Sequence, residues 1–337
     1  MNARANRFPL FDAMRAIAAL SVLAFHAAFV ARVPITDTFV RPYSAHLDVG
    51  VTVFFMISGF LLYRPFARGA HNVPGYAWRR FLRIVPAYWV ALTVVAVWFG
   101  FHATFPTGGE PLYYAFGQIY SGPRAPWGIP QAWTLCVEIT FYAFLPLWAL
   151  LMRRARRELL WLAVLWLASL AYKAWALSQT SPTELGSAPY LQPLPNYLDQ
   201  FAIGMALAVL TVRWEREDRV PRGVDWIRRH DWVPWLAAAV AFWVVSTRIG
   251  FTGWLTQHYS RRMFLGRHEL YTLVAAGLIL PAIFAEPGRG VAGRVLASRV
   301  LSYIGLISFG MYLYHLAVIR QVDNWLGSPS DAPLGIR

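Results

Sequence analysis

The amino-acid sequence predicts an all-α fold: a polytopic bundle of about nine membrane-spanning helices, with the N-terminus cytoplasmic. Three observations lead there. Hydrophobic residues make up 57% of the 337-residue chain and charged residues 14%, whereas an ordinary soluble domain is about 25% charged. The apolar residues gather into runs of roughly 18–22, the length that crosses a hydrocarbon core of about 30 Å. Between the runs lie short segments rich in Arg, Pro and Gly. That division leaves a single transmembrane domain, residues 1–322, and a short polar tail, 323–337.

The first run, 9–31, superficially mimics a secretory signal, but it is too long and carries Arg15 and His26, so it reads as a retained helix. The second, 48–66, opens on Asp48. The third, 84–103, is entered through the dense cluster WRRFLRIVPAYW at 78–89. The fourth, 132–152, carries Glu138 one to two turns in, and a fifth follows at 158–178. The sixth, 197–213, opens near Asp199. The remaining spans are expected at 233–249, 269–285 and 298–320. The ending DNWLGSPSDAPLGIR is polar and rich in turn residues, so no tenth span is expected, and no internal repeat is evident.

Charge placement sets the orientation. With the N-terminus inside, the inner segments carry twice as many Arg and Lys residues as the outer ones, the bias expected of cytoplasmic loops. The segment from Arg248 to Arg267 is the exception. The net charge of +14 is spread over interhelical segments facing anionic headgroups, with no basic face of a soluble reader fold, which argues against nucleic acid. The lone Cys136 excludes an intramolecular disulfide and a Cys-rich metal site. P-loop, dinucleotide fingerprint, His-x-x-x-His pair and Gly-x-Ser-x-Gly elbow are all absent, so neither a metal nor a cofactor is expected.

Chemistry concentrates in a few places. Arg15 and His26 are 11 residues apart, which returns to within about 20° of the same helix face and separates them by about 16 Å along the axis. Ionisable groups inside a span are costly and normally face the bundle interior or a wet cavity. The plainer reading is that Arg15 snorkels to the headgroups and His26 packs. Asp48, Glu138 and Asp199 recur at a similar outer depth, where a carboxylate can orient a histidine or, for Asp48 and Asp199, simply cap a helix start. Arg79, Arg80 and Arg83 form a cationic cluster able to grip phosphates or to anchor the protein at the inner interface.

These residues resemble a known family. FDAMRAIAALSVLAFHAAF, with Asp12, Arg15 and His26, is similar to the opening of the acyltransferase-3 family of integral membrane O-acyltransferases. GVTVFFMISGF, with Ser58, resembles its second-helix motif. RRFLRIVPAYW resembles its Arg-x-x-Arg loop through Arg80 and Arg83, and AWTLCVEITFYAFLPL its Trp-Ser-Leu-x-Val-Glu-Glu-x-Phe-Tyr segment through Trp133, Glu138 and Tyr142. YLDQFAIGMALA and SFGMYLYHLAVI, with Asp199, Ser308, Tyr312 and His315, resemble two further motifs. Ile139 and Thr140 depart from the family pattern, as does Ala317 where a proline is usual. The family commonly has ten spans.

The resemblance implies transfer of an acyl group, usually acetyl, from cytoplasmic acyl-CoA (a co-substrate) to a hydroxyl of an extracytoplasmic carbohydrate or glycolipid, in a bacterial inner or plasma membrane. His26, Arg15 and Glu138 are then the expected catalytic residues. Arg80, Arg83, Asp48, Ser58, Asp199, Tyr142 and His315 are the expected substrate-binding ones. The pantetheine arm, roughly 15–20 Å long by chain reach, can carry a thioester toward mid-bilayer. A competing reading of the same polar track is a transporter or flippase for an anionic or sugar-linked substrate.

Overall fold

The computed structural model describes residues 8–31, 39–70, 72–121, 127–153, 157–180, 189–249 and 260–326, and every regular element among them is helical. Nine long helices correspond one to one with the expected runs. They are α1 (Leu10–Val30), α2 (Val49–Ala67), α3 (Val73–Phe99), α4 (Trp133–Met152), α5 (Glu158–Ser178), α6 (Leu198–Arg216), α7 (Trp232–Arg248), α8 (Arg261–Phe284) and α9 (Arg299–Trp325). The all-α class is therefore borne out.

Seven of the nine are long and apolar enough to cross a membrane. The other two fall short for different reasons. α7 has 17 residues, about 25 Å of helix at 1.5 Å per residue. α6 carries Asp199, Arg213, Glu215 and Arg216 within its 19 residues. Prolines 65, 86, 146 and 281 lie inside helices, which spanning helices tolerate because neighbouring groups satisfy the freed backbone.

Two starts differ from the sequence reading. α3 begins at Val73 rather than 84, because the Asn72 side chain accepts from the Gly75 N–H at 2.8 Å and a proline sits in the first turn. Arg79, Arg80 and Arg83 thus lie on a helix, not in a loop. α8 begins at Arg261 rather than 269, because the Ser260 hydroxyl caps the Met263 N–H at 3.2 Å. Arg261, Arg262, Arg267 and His268, expected in an outer loop, are therefore helical; residues 250–259 of that loop lie outside the described set. In both cases a polar cap extends the helix beyond its apolar stretch. α9 also continues to Trp325, past the expected end of the domain at 322, and residues 327–337 of the tail lie outside the described residues.

The helices divide into two compact units. One lies within Met1–Ser58, Leu210–Trp254 and Ser260–Met311. There α7 and α8 pair most extensively and α1 packs on α8. Val49, Ala238, Val245, Tyr271 and Val274 form a core, with Phe242 and Leu278 packed against it. The second unit lies within Gly59–Val209 and Tyr312–Arg337. There α3 packs on α4, and the Phe141 and Phe201 rings stack with centroids 4.0 Å apart. Outward positions on α3, α5 and α9, such as Val97, Leu167 and Leu306, are apolar and exposed, as in lipid-facing surfaces.

Candidate active site

In the first unit, α1 carries two of the three expected catalytic side chains, Arg15 and His26. Two neighbours crowd its backbone: a Cβ at Gly305 of α9 would overlap the Asp12 carbonyl, and one at Gly50 of α2 would overlap that of Ala18. Small residues at such crossings let helix backbones approach closely. Arg15 Nη1 donates to Asp12 Oδ1 at 2.8 Å, fixing the guanidinium one turn into the helix.

His26 is buried, and its ring meets Phe25 edge-on with centroids 5.0 Å apart. Its Nδ1 lies 2.9 Å from the Val22 carbonyl. A carbonyl can only accept, so Nδ1 carries the hydrogen, and in the neutral form of the ring the lone pair lies on Nε2. The backbone of α1 itself thereby favours this tautomer. Asp48 is otherwise engaged: Arg267 is ion-paired to it and the Tyr271 hydroxyl donates to it. It ties the start of α2 to α8.

The second unit gathers a different polar cluster. Tyr76 and Arg80 stand one turn apart on α3, and Glu138 and Tyr142 one turn apart on α4. The Tyr142 hydroxyl donates to Glu138 Oε2 at 3.1 Å. Tyr76 and Tyr142 each interact electrostatically with Arg80 and Glu138, and with each other. Arg80 is half-buried while Arg79 and Arg83 are exposed, so the two arginines of the Arg-x-x-Arg segment are not equivalent. Tyr76 was not singled out from the sequence, and only its spacing of four from Arg80 could have drawn attention to it.

The remaining expected residues are distributed. Asp199 is fully buried against Lys173, with Nζ to Oδ2 at 3.1 Å, and Ser169 Oγ reaches Oδ1 at 3.1 Å. Ser58 is half-buried on α2. His315 is buried on α9, its Nδ1 donating to the Tyr312 carbonyl at 2.8 Å. Tyr312 bonds to the Gln131 carbonyl and lies 2.6 Å from Thr134 Oγ1, while the Gln131 amide donates to the Tyr312 and Leu313 carbonyls at 3.1 and 3.0 Å. Lys173, Arg267, Tyr271 and Gln131 were missed as partners, because each pairs with residues on another helix far away in sequence.

A chain of long apolar helices, seven of them long and apolar enough to cross a membrane, is an integral membrane protein. Comparison with known proteins makes this specific. The family profile described as "Acyltransferase domain" matches residues 9–335. The chain belongs to the acyltransferase-3 family and is a membrane acyltransferase that transfers groups other than aminoacyl groups.

It is 26% identical to Nodulation protein 10 of Rhizobium leguminosarum bv. viciae, over 94% of this chain and 85% of that one. It is 27% identical to Acyltransferase MdmB of Streptomyces mycarofaciens, over 97% and 83%. It is 23% identical to Peptidoglycan O-acetyltransferase OatA of Listeria monocytogenes, over 92% of this chain and 49% of that one. No solved structure matches.

Proposed function

We propose that the protein moves an acyl group, acetyl by preference, from cytoplasmic acyl-CoA to a hydroxyl of an extracytoplasmic or membrane-linked carbohydrate. The observation that carries this reading is His26: a buried imidazole whose Nδ1–H is committed to the Val22 carbonyl, leaving Nε2 as its basic nitrogen. Two routes use that nitrogen. In the direct route, Nε2 takes the proton of the acceptor hydroxyl, whose oxygen attacks the thioester carbonyl. The C–S bond breaks, and the CoA thiolate takes the proton from the imidazolium. In the other route, Nε2 itself attacks the thioester carbonyl, the C–S bond breaks and the CoA thiolate leaves. The acceptor hydroxyl then attacks the acyl-imidazole, the C–N bond breaks, and the hydroxyl proton passes to the thiolate.

In this reading Arg15 stabilises developing negative charge, and Arg80 with Arg83 holds the donor. Glu138, tied to Tyr142, acts beside Arg80. The carbohydrate acceptor draws support from a relative named as a peptidoglycan O-acetyltransferase. Sidedness rests on the excess of Arg in segments such as Arg64–Arg83, in a bacterial inner or plasma membrane. The transporter reading loses its ground with the family assignment.

Sealed vesicles of both orientations test the proposal. Labelled acetyl-CoA added outside should label glycan in inside-out vesicles and not in right-side-out ones. The reverse pattern would overturn the sidedness, and labelling of neither glycan nor glycolipid by any acyl-CoA would overturn the proposed donor and acceptor.

A further inference from the structure

The α3–α4 cluster contains two buried hydrogen-bond donors with no partner among the described residues: the Tyr76 hydroxyl and Arg80 Nε. Both lie on one face of α3, four residues apart. Tyr76 is 8% exposed, and its ring is held edge-on by Phe66, centroids 5.3 Å apart at 67°. The neighbouring Glu138 accepts from the Tyr142 hydroxyl at Oε2. Buried donors are almost always paired, and a guanidinium N–H can only donate. Whatever completes this cluster must therefore present an oxygen that accepts.

We propose that the Tyr76 hydroxyl and the Arg80 Nε–H form a two-donor seat for an oxygen of the acyl donor. This rests on the acyl-transfer reading and deepens it by naming Tyr76 as a donor-binding residue. Acyl-CoA offers two oxygens of suitable chemistry, a phosphate oxygen and the thioester carbonyl. The first would make the seat a binding element. The second would make it a place where negative charge is stabilised as the carbonyl is attacked.

Tyr76→Phe tests this cleanly because it removes only an oxygen that bonds none of the described residues. The purified full-length variant should therefore keep the wild-type thermal midpoint. Transfer from labelled acetyl-CoA should nevertheless fall about tenfold or more in kcat/KM, the cost of losing a hydrogen bond to a charged or polarised partner. Free CoA, used as a competitive probe, separates the two oxygens. For a phosphate oxygen, the donor KM and the CoA inhibition constant rise together while kcat holds. For the thioester carbonyl, kcat falls and the CoA inhibition constant does not move.

Arg80→Lys, which keeps the charge and loses the Nε–H, should reproduce the Tyr76→Phe pattern. Wild-type kinetics in Tyr76→Phe, beside an active wild type, would overturn the seat. So would a lowered thermal midpoint, because it would mean that the hydroxyl has a partner inside the protein. A wild type inactive with every acyl-CoA is a different result: it removes the acyl-transfer reading and this proposal with it.

Discussion

Lys173 and Asp199 show how much depends on single side chains inside this bundle. Both are fully buried, 3.1 Å apart, with Ser169 also on the carboxylate. Removing one partner of such a pair leaves an uncompensated buried charge, costing about 3–5 kcal/mol, whereas replacing both with apolar groups is often close to neutral. Lys173→Met should therefore sharply lower the thermal midpoint in detergent, and Lys173→Met with Asp199→Leu should recover most of the loss. A single variant as stable as wild type would contradict this account of the pair. At Arg80 and Arg83 the contrast is functional: Arg80→Ala should lower kcat/KM for the donor more than Arg83→Ala, since only Arg80 turns into the α3–α4 cluster. Equal effects in a kinetic comparison would contradict that. The side chains themselves were legible in the sequence, because an ionisable group in an apolar run stands out. Their partners were not: Asp48 meets Arg267 and Tyr271 across more than two hundred residues, and no local pattern encodes such a pairing.

Among the elements, the connection between α8 and α9 is held by a device that hydropathy does not report. Asp231, 2% exposed at the start of α7, accepts from the Val291 N–H at 2.9 Å and the Gly293 N–H at 2.8 Å. Asp231→Ala leaves both donors without that acceptor and should cost about 2–4 kcal/mol at 1–2 kcal/mol for each lost bond. Asp231→Asn should cost less, because it keeps one acceptor oxygen. Thermal unfolding of the purified variants checks the order, and an Ala variant no worse than Asn would contradict it. At Gly305 any larger side chain meets the Asp12 carbonyl, so Gly305→Leu should displace α1 and reduce transfer along with stability. Helix existence was readable from 18–22-residue apolar runs. Helix starts were not, because Asn72 and Ser260 extend α3 and α8 over polar turns that look like loop.

For the whole molecule, composition alone made the class legible: few charges gathered between long apolar runs admit little besides a membrane bundle. The number of crossings is less readable, since α6 and α7 are respectively charged and short. Nine crossings with an inner N-terminus place Ala70 inside and Ser121 outside. In a Cys136→Ser background, a cysteine at 70 should react with a membrane-impermeant reagent only in inside-out vesicles, and one at 121 only in right-side-out ones. Both positions reacting from the same side would contradict the topology.

The central claim is that His26 carries the acyl transfer, and label transfer in matched membranes tests it most directly. Inside-out vesicles holding equal amounts of inserted wild type or His26→Ala receive labelled acetyl-CoA, and label is followed into glycan and into the protein itself. Label should reach glycan with wild type and fall to background with His26→Ala, with label held on wild-type protein marking the acyl-histidine route. A His26→Ala protein that still labels glycan at the wild-type rate would contradict the claim.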